Sequence, residues 1–97
     1  MAGVIRLTPE ELREVSRQYS GESAQVRELI GRLDTMANHL KDIWEGSSSE
    51  AFINQYYELK PSFEKMAVLL EDVSKQLADS ATILEDTDAQ IASQIRG

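Results

Sequence analysis

The chain has 97 residues, no cysteine, and 17 acidic against 10 basic Lys and Arg side chains, which gives a formal net charge of −7. The missing cysteines exclude disulfides and thiolate chemistry, and the acidic balance excludes a nucleic-acid surface built from clustered Lys and Arg. A single domain of this size has a marginal hydrophobic core, so we expect oligomerisation to complete it.

No apolar run approaches the roughly 20 residues that cross a bilayer, so we expect no stable membrane insertion. The first residues also lack the apolar stretch and small-residue cleavage region of a signal peptide. On composition alone the sequence therefore favours a cytosolic protein.

The first predicted element is a helix over about residues 8–43. Thr8 is its expected N-cap, with Pro9 at the first helical position and Glu11 completing a capping box. Residues 20–23 are the weakest stretch, where a bend is an alternative. Apolar residues recur at steps of three and four, except that Glu22 fills one position of the series; they are Leu12, Val15, Tyr19, Val26, Leu29, Leu33, Met36, Leu40 and Ile43.

A Gly- and Ser-rich turn is predicted at residues 44–47. Gly46 suits a left-handed position after the helix, and Ser47 is the expected cap of the next helix. Trp44 is expected to close the end of the hairpin between Ile43 and Phe52, with an edge that is free for a partner as a second role.

A second helix is predicted over about residues 48–93. Pro61 is expected to distort it without breaking it, because the apolar register continues past this residue. Apolar residues again recur at steps of four and three, at Phe52, Tyr56, Leu59, Phe63, Met66, Leu70, Val73 and Leu77.

The predicted fold is all-α: an antiparallel two-helix hairpin that forms one domain and dimerises into a four-helix bundle. On the first helix, a seam of Leu29, Leu33 and Leu40 has Val26, Ile30 and Ala37 beside it, a wider face than one partner helix covers. We expect a homodimer or a heterodimer with a close paralogue; the alternative is a monomeric three-helix bundle broken at Pro61. The predicted core and dimer residues are Val26, Leu29, Ile30, Leu33, Leu40, Phe52, Tyr56, Phe63 and Leu70.

Nothing in the sequence indicates an enzyme. His39 is the single histidine and has no second His or Cys with which to hold a metal, so we expect a solvated imidazole and no cofactor. No base accompanies the serines in a nucleophile motif, and there is no Gly-rich phosphate loop.

The C-terminal residues form a weaker apolar ladder at Leu84, Asp88, Ile91 and Ile95. This spacing suits a helix that docks in a partner's groove, with the three apolar residues as anchors and Asp88 as a polar contact. A helix end that frays and packs partially on its own bundle is the equal alternative.

Two matched helices around a central Trp44-Glu45-Gly46 turn, with Thr8-Pro9-Glu10-Glu11-Leu12 at the start, resemble the Trp-X-Gly (WXG) hundred-residue family over the whole chain. These are the Esx or ESAT-like substrates of type VII secretion. The residues Leu59-Lys60-Pro61-Ser62-Phe63 are similar to those of the homodimeric branch in Gram-positive Bacillota.

The resemblance implies a dimer that is made in the cytoplasm and secreted folded, without a cleaved signal peptide, by a machine with an FtsK/SpoIIIE-type ATPase. It also implies that Trp44 and Gly46 form half of a composite export signal, beside the partner subunit's C-terminal tail. Many members mark that tail with Tyr-x-x-x-Asp/Glu. This sequence instead has Leu84, Asp88, Ile91 and Ile95, a pattern similar to that of the homodimeric branch.

The role after export stays open among an effector with a part in virulence, a co-secreted carrier and a component of the machine. A cytosolic helical adaptor or chaperone-like module is the alternative to a secreted substrate. Pore formation is disfavoured, because the sequence has no amphipathic stripe rich in Lys and Arg.

Overall fold

The computed structural model describes residues 7–96 and contains two α-helices, α1 (Pro9–Ile43) and α2 (Ser47–Arg96). Residues 44–46 turn the chain back, so that α1 and α2 run antiparallel in the predicted hairpin. The molecule is 77 Å long and 26 by 16 Å across. No helix within residues 7–96 is long and apolar enough to cross a membrane.

The start of α1 follows from its capping residues. The Thr8 hydroxyl oxygen accepts a hydrogen bond from the Glu11 backbone N–H at 3.1 Å, and Pro9 occupies the first turn, as the sequence predicts. α1 remains helical through residues 20–23, the stretch that the sequence marked as its weakest. Ser23 is only 3% exposed, and its hydroxyl donates to the Ala67 carbonyl at 2.7 Å, so this polar residue joins the two helices.

The contact between α1 and α2, which we call the hairpin seam, is made by small side chains. Ser16 and Ser74 lie opposite each other, and each hydroxyl donates to the other's backbone carbonyl at 2.7 Å. Small side chains allow the two backbones to approach closely. The buried seam residues are Ser16, Ser23, Ile30 and Ala37 on α1, and Ile53, Ala67 and Ala81 on α2.

The order of seam and flank predicted for α1 differs from the structure at three residues. Ile30 and Ala37, predicted to lie beside the main seam, are 8% and 3% exposed and pack against α2. Leu29, predicted in the main seam, is 45% exposed. Mostly small side chains, Ser and Ala, fill the contact between α1 and α2, and large ones such as Leu29 lie outside it.

Large apolar side chains instead gather on one side of the hairpin. Several of them stand one residue before a seam position, on α1 and on α2 alike. In antiparallel helices, equal offsets from a shared contact lie on the same side, so these rows form one surface, which we call the apolar face. Its exposed members are Val15, Leu29, Met36 and Ile43 of α1, with Phe52, Leu59 and Met66 of α2.

Pro61 does not interrupt α2, which is helical from Ser47 to Arg96. The three-helix alternative, which required a break at Pro61, is therefore wrong.

Candidate functional site

The turn at residues 44–46 places an aromatic side chain at one end of the hairpin. Trp44 caps α1 in an extended conformation, and its backbone N–H donates to the Leu40 carbonyl at 2.9 Å. Gly46 has a φ of +116°, a conformation that side chains with a Cβ rarely adopt, which agrees with the left-handed geometry predicted for it.

The predicted cap at Ser47 is wrong, because Ser47 is already the first residue of α2. The interaction at this helix start is made by Ser49, whose hydroxyl donates to the Gly46 carbonyl at 2.9 Å. The Ser49 backbone N–H donates to the same oxygen at 3.2 Å. Ser49 is 7% exposed, so this pair of bonds fixes the path of the turn from inside the structure.

The Trp44 indole packs on Phe52, with ring centroids 5.9 Å apart and the ring planes tilted by 46°. Both rings also stay open to solvent, since Trp44 is 39% exposed and Phe52 is 46% exposed. The neighbouring Ile43 is 63% exposed. Trp44 is therefore held on one side and free on the other, which suits contact with another protein.

The C-terminal ladder lies at the opposite end of the molecule. Leu84 is half-buried, whereas Asp88, Ile91 and Ile95 are exposed, the two isoleucines by 50% and 80%. Every residue from 85 to 95 is exposed, because α2 extends past the start of α1. We call residues 85–95 the C-terminal tail; it presents apolar side chains that no part of the described chain covers.

Arg13 of α1 contacts the first residue of the C-terminal tail, Glu85. Its guanidinium donates to the Glu85 carboxylate at 2.5 Å and to the Thr82 hydroxyl at 3.5 Å. The hydrogen bond from Arg13 lowers the pKa of the Glu85 carboxyl, and the same bond raises the pKa of Arg13. Sequence reasoning missed this contact, since its partners are far apart along the chain.

One chain cannot bring its turn and its tail together. The hairpin is 77 Å long, and Trp44 lies at the end opposite to Ile91 and Ile95. A surface that contains both must therefore include the tail of a second molecule.

The residues predicted for the core or dimer interface fall into three groups. Ile30 is buried in the hairpin seam. Leu29 and Phe52 are exposed on the apolar face. The half-buried residues, which lie between the seam and the solvent, are Val26, Leu33, Leu40, Tyr56, Phe63 and Leu70.

A polar network that the sequence analysis missed joins the helices near the turn. The Tyr56 hydroxyl donates to Asp34 Oδ1 at 2.6 Å, and the Lys60 ammonium donates to Asp34 Oδ2 at 2.8 Å. We call these three residues the Asp34 network. An isolated Asp, Tyr and Lys have no motif spacing, and the only sequence signal was a lysine standing seven residues after Ile53, at a seam position.

The pKa values of the network follow from its hydrogen bonds. The bonds from Lys60 and Tyr56 lower the pKa of Asp34, and the Asp34 carboxylate raises that of Lys60. Burial, with the bond to Asp34, raises the pKa of the Tyr56 hydroxyl to about 12. Near neutral pH the network therefore holds a carboxylate between an ammonium and a neutral phenol.

The described residues do not assemble a catalytic or metal-binding constellation. His39 is exposed on α1. Within residues 7–95, no group of three or more His, Asp or Glu side chains is placed to hold a metal ion. The features that the described residues do present are three exposed surfaces: the turn, the C-terminal tail and the apolar face.

Comparison with known proteins gives matches over nearly the whole chain. Residues 4–89 match the family model described as proteins of 100 residues with WXG. Protein YukE of Bacillus subtilis is 57% identical over 97 residues and covers all of both chains. Type VII secretion system extracellular protein A of Staphylococcus aureus (strain USA300) is 32% identical over 90 residues, 93% of each chain.

A solved structure agrees with the hairpin. EsxA of Geobacillus thermodenitrificans superimposes with a TM-score of 0.85 at 72% sequence identity, covering 93% of this chain and 100% of that one.

Proposed function

The chain belongs to the family of proteins of 100 residues with WXG, and from that premise we propose that it is a type VII secretion substrate, not an enzyme, exported as a folded dimer. The observation that carries the proposal is the position of the Trp44 turn. It lies inside the matched residues 4–89, between two helices, and leaves the indole 39% exposed. The protein is made in the cytoplasm and leaves it without a cleaved signal peptide.

The dimer is a homodimer whose two hairpins meet through their apolar faces. Leu29, Phe52 and Met66 are each 45 to 50% exposed in one chain, although all three are large and apolar. Association through this face removes them from water and gives a four-helix bundle.

The turn and the tail together form the export signal. In an antiparallel pair of hairpins, Trp44 and Gly46 of one subunit approach the C-terminal tail of the other. The FtsK/SpoIIIE-type ATPase of the export machine binds this composite surface, with Ile91 and Ile95 as apolar anchors and Asp88 as a polar contact.

The proposal is tested by secretion from the bacterium that carries the gene. We expect Trp44→Ala, and separately a chain that ends at Leu84, to remain in the cells while the wild-type protein accumulates in the culture medium. Both variants should keep the molecular mass of the dimer, since neither change removes the centre of the apolar face. His39→Ala, which changes an exposed side chain of α1 away from the turn, is the matched control and should be exported normally.

Export of both variants at the wild-type level would contradict the assigned signal. A wild-type protein found only in the cell fraction would instead support the alternative, a cytosolic adaptor that uses the exposed Ile91 and Ile95 to dock a client.

A further inference from the structure

A proline in the interior of α2 removes one of its hydrogen bonds. Pro61 has no backbone N–H, so the Tyr57 carbonyl lacks its usual donor, and the proline ring crowds that carbonyl. An interior proline costs a helix about 3 kcal/mol relative to alanine and commonly kinks it. The segment of α2 between the turn and Pro61 therefore needs other contacts to stay aligned with the rest of the helix.

The two helices contribute unequally to the hairpin seam at this point, since α1 supplies the buried Ile30 whereas α2 supplies no buried side chain. On α2, none of the 13 residues in the gap between Ile53 and Ala67 is buried, and these two residues are 14 positions or about 21 Å apart along the helix. Lys60 occupies the middle of that gap, seven residues from each end, where the pattern of the seam calls for a small or apolar residue. The stretch of α2 without a buried side chain thus coincides with the helix defect at Pro61.

The Asp34 network fills the gap. Tyr56 and Lys60 belong to the two turns of α2 that precede Pro61, and both donate to Asp34 of α1, one to each carboxylate oxygen, at 2.6 and 2.8 Å. The Lys60 and Asp34 side chains are 27% and 31% exposed, whereas those of the interhelical pair Arg27 and Glu71 are 51% and 56% exposed. The network is consequently better shielded from water, and this shielding makes its charge-assisted hydrogen bonds stronger.

We propose that Asp34 is a positioning residue for the turn: together with Tyr56 and Lys60 it clamps α2 to α1 just before Pro61. The clamp keeps residues 47–60 in register with α1 and so fixes the orientation of Trp44. Where it concerns export, this inference rests on the proposed function; the clamp itself does not.

The clamp is tested by hydrogen exchange in the full-length protein, with four variants compared to wild type. Asp34→Ala removes the acceptor of both bonds, and we expect amide exchange over residues 54–60 to rise by about tenfold or more. Arg27→Ala, the matched control, also removes an interhelical ion pair, but away from Pro61, and should leave these amides unchanged. In Asp34→Ala/Pro61→Ala the restored N–H repairs the helix, so exchange should return close to that of Pro61→Ala alone.

Unchanged exchange in Asp34→Ala would overturn the clamp, as would a double variant that exchanges as fast as Asp34→Ala. Two further measurements separate a local opening from a loss of the oligomer. Light scattering on the same samples should give an unchanged mass, and slow exchange must persist at the distant amides of residues 67–81.

Secretion of the same variants tests the positioning role. We expect Asp34→Ala to be exported less than wild type and Asp34→Ala/Pro61→Ala to recover, whereas Arg27→Ala is exported normally. Faster exchange with undiminished export would overturn the link between the clamp and the turn. A wild-type protein that is not exported at all contradicts the proposed function and leaves the exchange result to judge the clamp.

Discussion

Tyr56 is the side chain whose protonation the fold changes most. The neutral Tyr56 hydroxyl donates a hydrogen bond to Asp34 Oδ1 at 2.6 Å, which is a favourable contact with the carboxylate. Burial disfavours the ionised phenolate, and ionisation would also lose the hydrogen bond to Asp34 and bring two negative oxygens together; these effects raise the pKa of Tyr56 to about 12. The folded state therefore prefers the neutral phenol.

This preference is visible in an absorbance titration of the three tyrosines. We expect one phenol of the wild-type protein to ionise near pH 12, later than an ordinary tyrosine at about pH 10, and Tyr56→Phe to lack this late step. Tyr19→Phe, which removes a phenol outside the network, should keep it. A late step that survives in Tyr56→Phe would show that another tyrosine is responsible.

Tyr56 and Asp34 stabilise the folded state over different ranges of pH, and their contributions are lost at opposite ends of the pH scale. The raised pKa of Tyr56 contributes stability that is complete below about pH 10 and is lost as the pH rises through about 12. The lowered pKa of Asp34 contributes stability that is present above its ordinary value of 3.8 and is lost as the pH falls through the lowered pKa.

Residues with local partners could be predicted from the sequence, and residues with distant partners could not. The Thr8 cap bonds to a residue three positions away, and the backbone of Gly46 is a property of the turn itself. Asp34 bonds to Tyr56 and Lys60, which are 22 and 26 residues away. Predicting those bonds requires the rotation of one helix against the other, which periodicity alone leaves undetermined.

At the scale of the element, the apolar periodicity and the length of the two segments predicted two antiparallel helices. The size of a side chain, in contrast, was a poor guide to its burial within one chain. Steps of three and four identify an apolar stripe without saying which partner covers it. The structure assigns the stripe of small residues to the hairpin seam, with Ala67 and Ala81 at 0% exposure, and leaves Leu59 and Met66 outside. A seven-residue repeat of Ser16, Ser23, Ile30 and Ala37 was the signal for this seam.

Close packing at the seam makes it sensitive to added volume. Ala67 is fully buried, and its carbonyl accepts the Ser23 hydroxyl at 2.7 Å, so Ala67→Leu would force α1 and α2 apart. We expect this variant to lose about 1–3 kcal/mol of unfolding free energy in chemical denaturation. Val68→Leu, at a neighbouring residue that is 47% exposed, is the control and should change stability by less than about 0.5 kcal/mol.

Equal stability of Ala67→Leu and Val68→Leu would contradict the tight seam, because a loosely packed contact accepts a larger side chain. Denaturation at several protein concentrations separates an effect within the hairpin from one on association.

At the scale of the whole molecule, one hairpin leaves too much surface in water. The chain exposes 7634 Å², whereas a compact protein of 10.9 kDa exposes about 5,600 Å². Its radius of gyration is 22.0 Å, against about 13 Å for a compact domain of this length. The excess surface, about 2,000 Å², is larger than the roughly 800 Å² that each partner buries in a stable interface of standard size.

The composition of the buried set leads to the same conclusion. Within residues 7–95 of one chain, no large side chain is fully buried, and three of the buried residues, Ser16, Ser23 and Ser49, are polar. Burial of small residues contributes little hydrophobic free energy, whereas the large side chains of the apolar face remain exposed and available for burial by association. Folding of the hairpin is therefore expected to depend on its association with a second copy.

Dependence on association predicts a melting temperature that rises with protein concentration. We expect a mass of about 22 kDa, twice 10.9 kDa, by light scattering at micromolar concentration. Leu29→Glu places a charge on the apolar face and should give a monomer with little helix, because the hairpin seam alone cannot stabilise it. Val68→Glu changes a residue of similar exposure, 47% against 45%, whose row along α2 also contains Asn54, Lys75 and Thr82; it should remain a folded dimer. A wild-type mass near 10.9 kDa, with a cooperative melt that is independent of concentration, would contradict this account and mean that one hairpin is stable by itself.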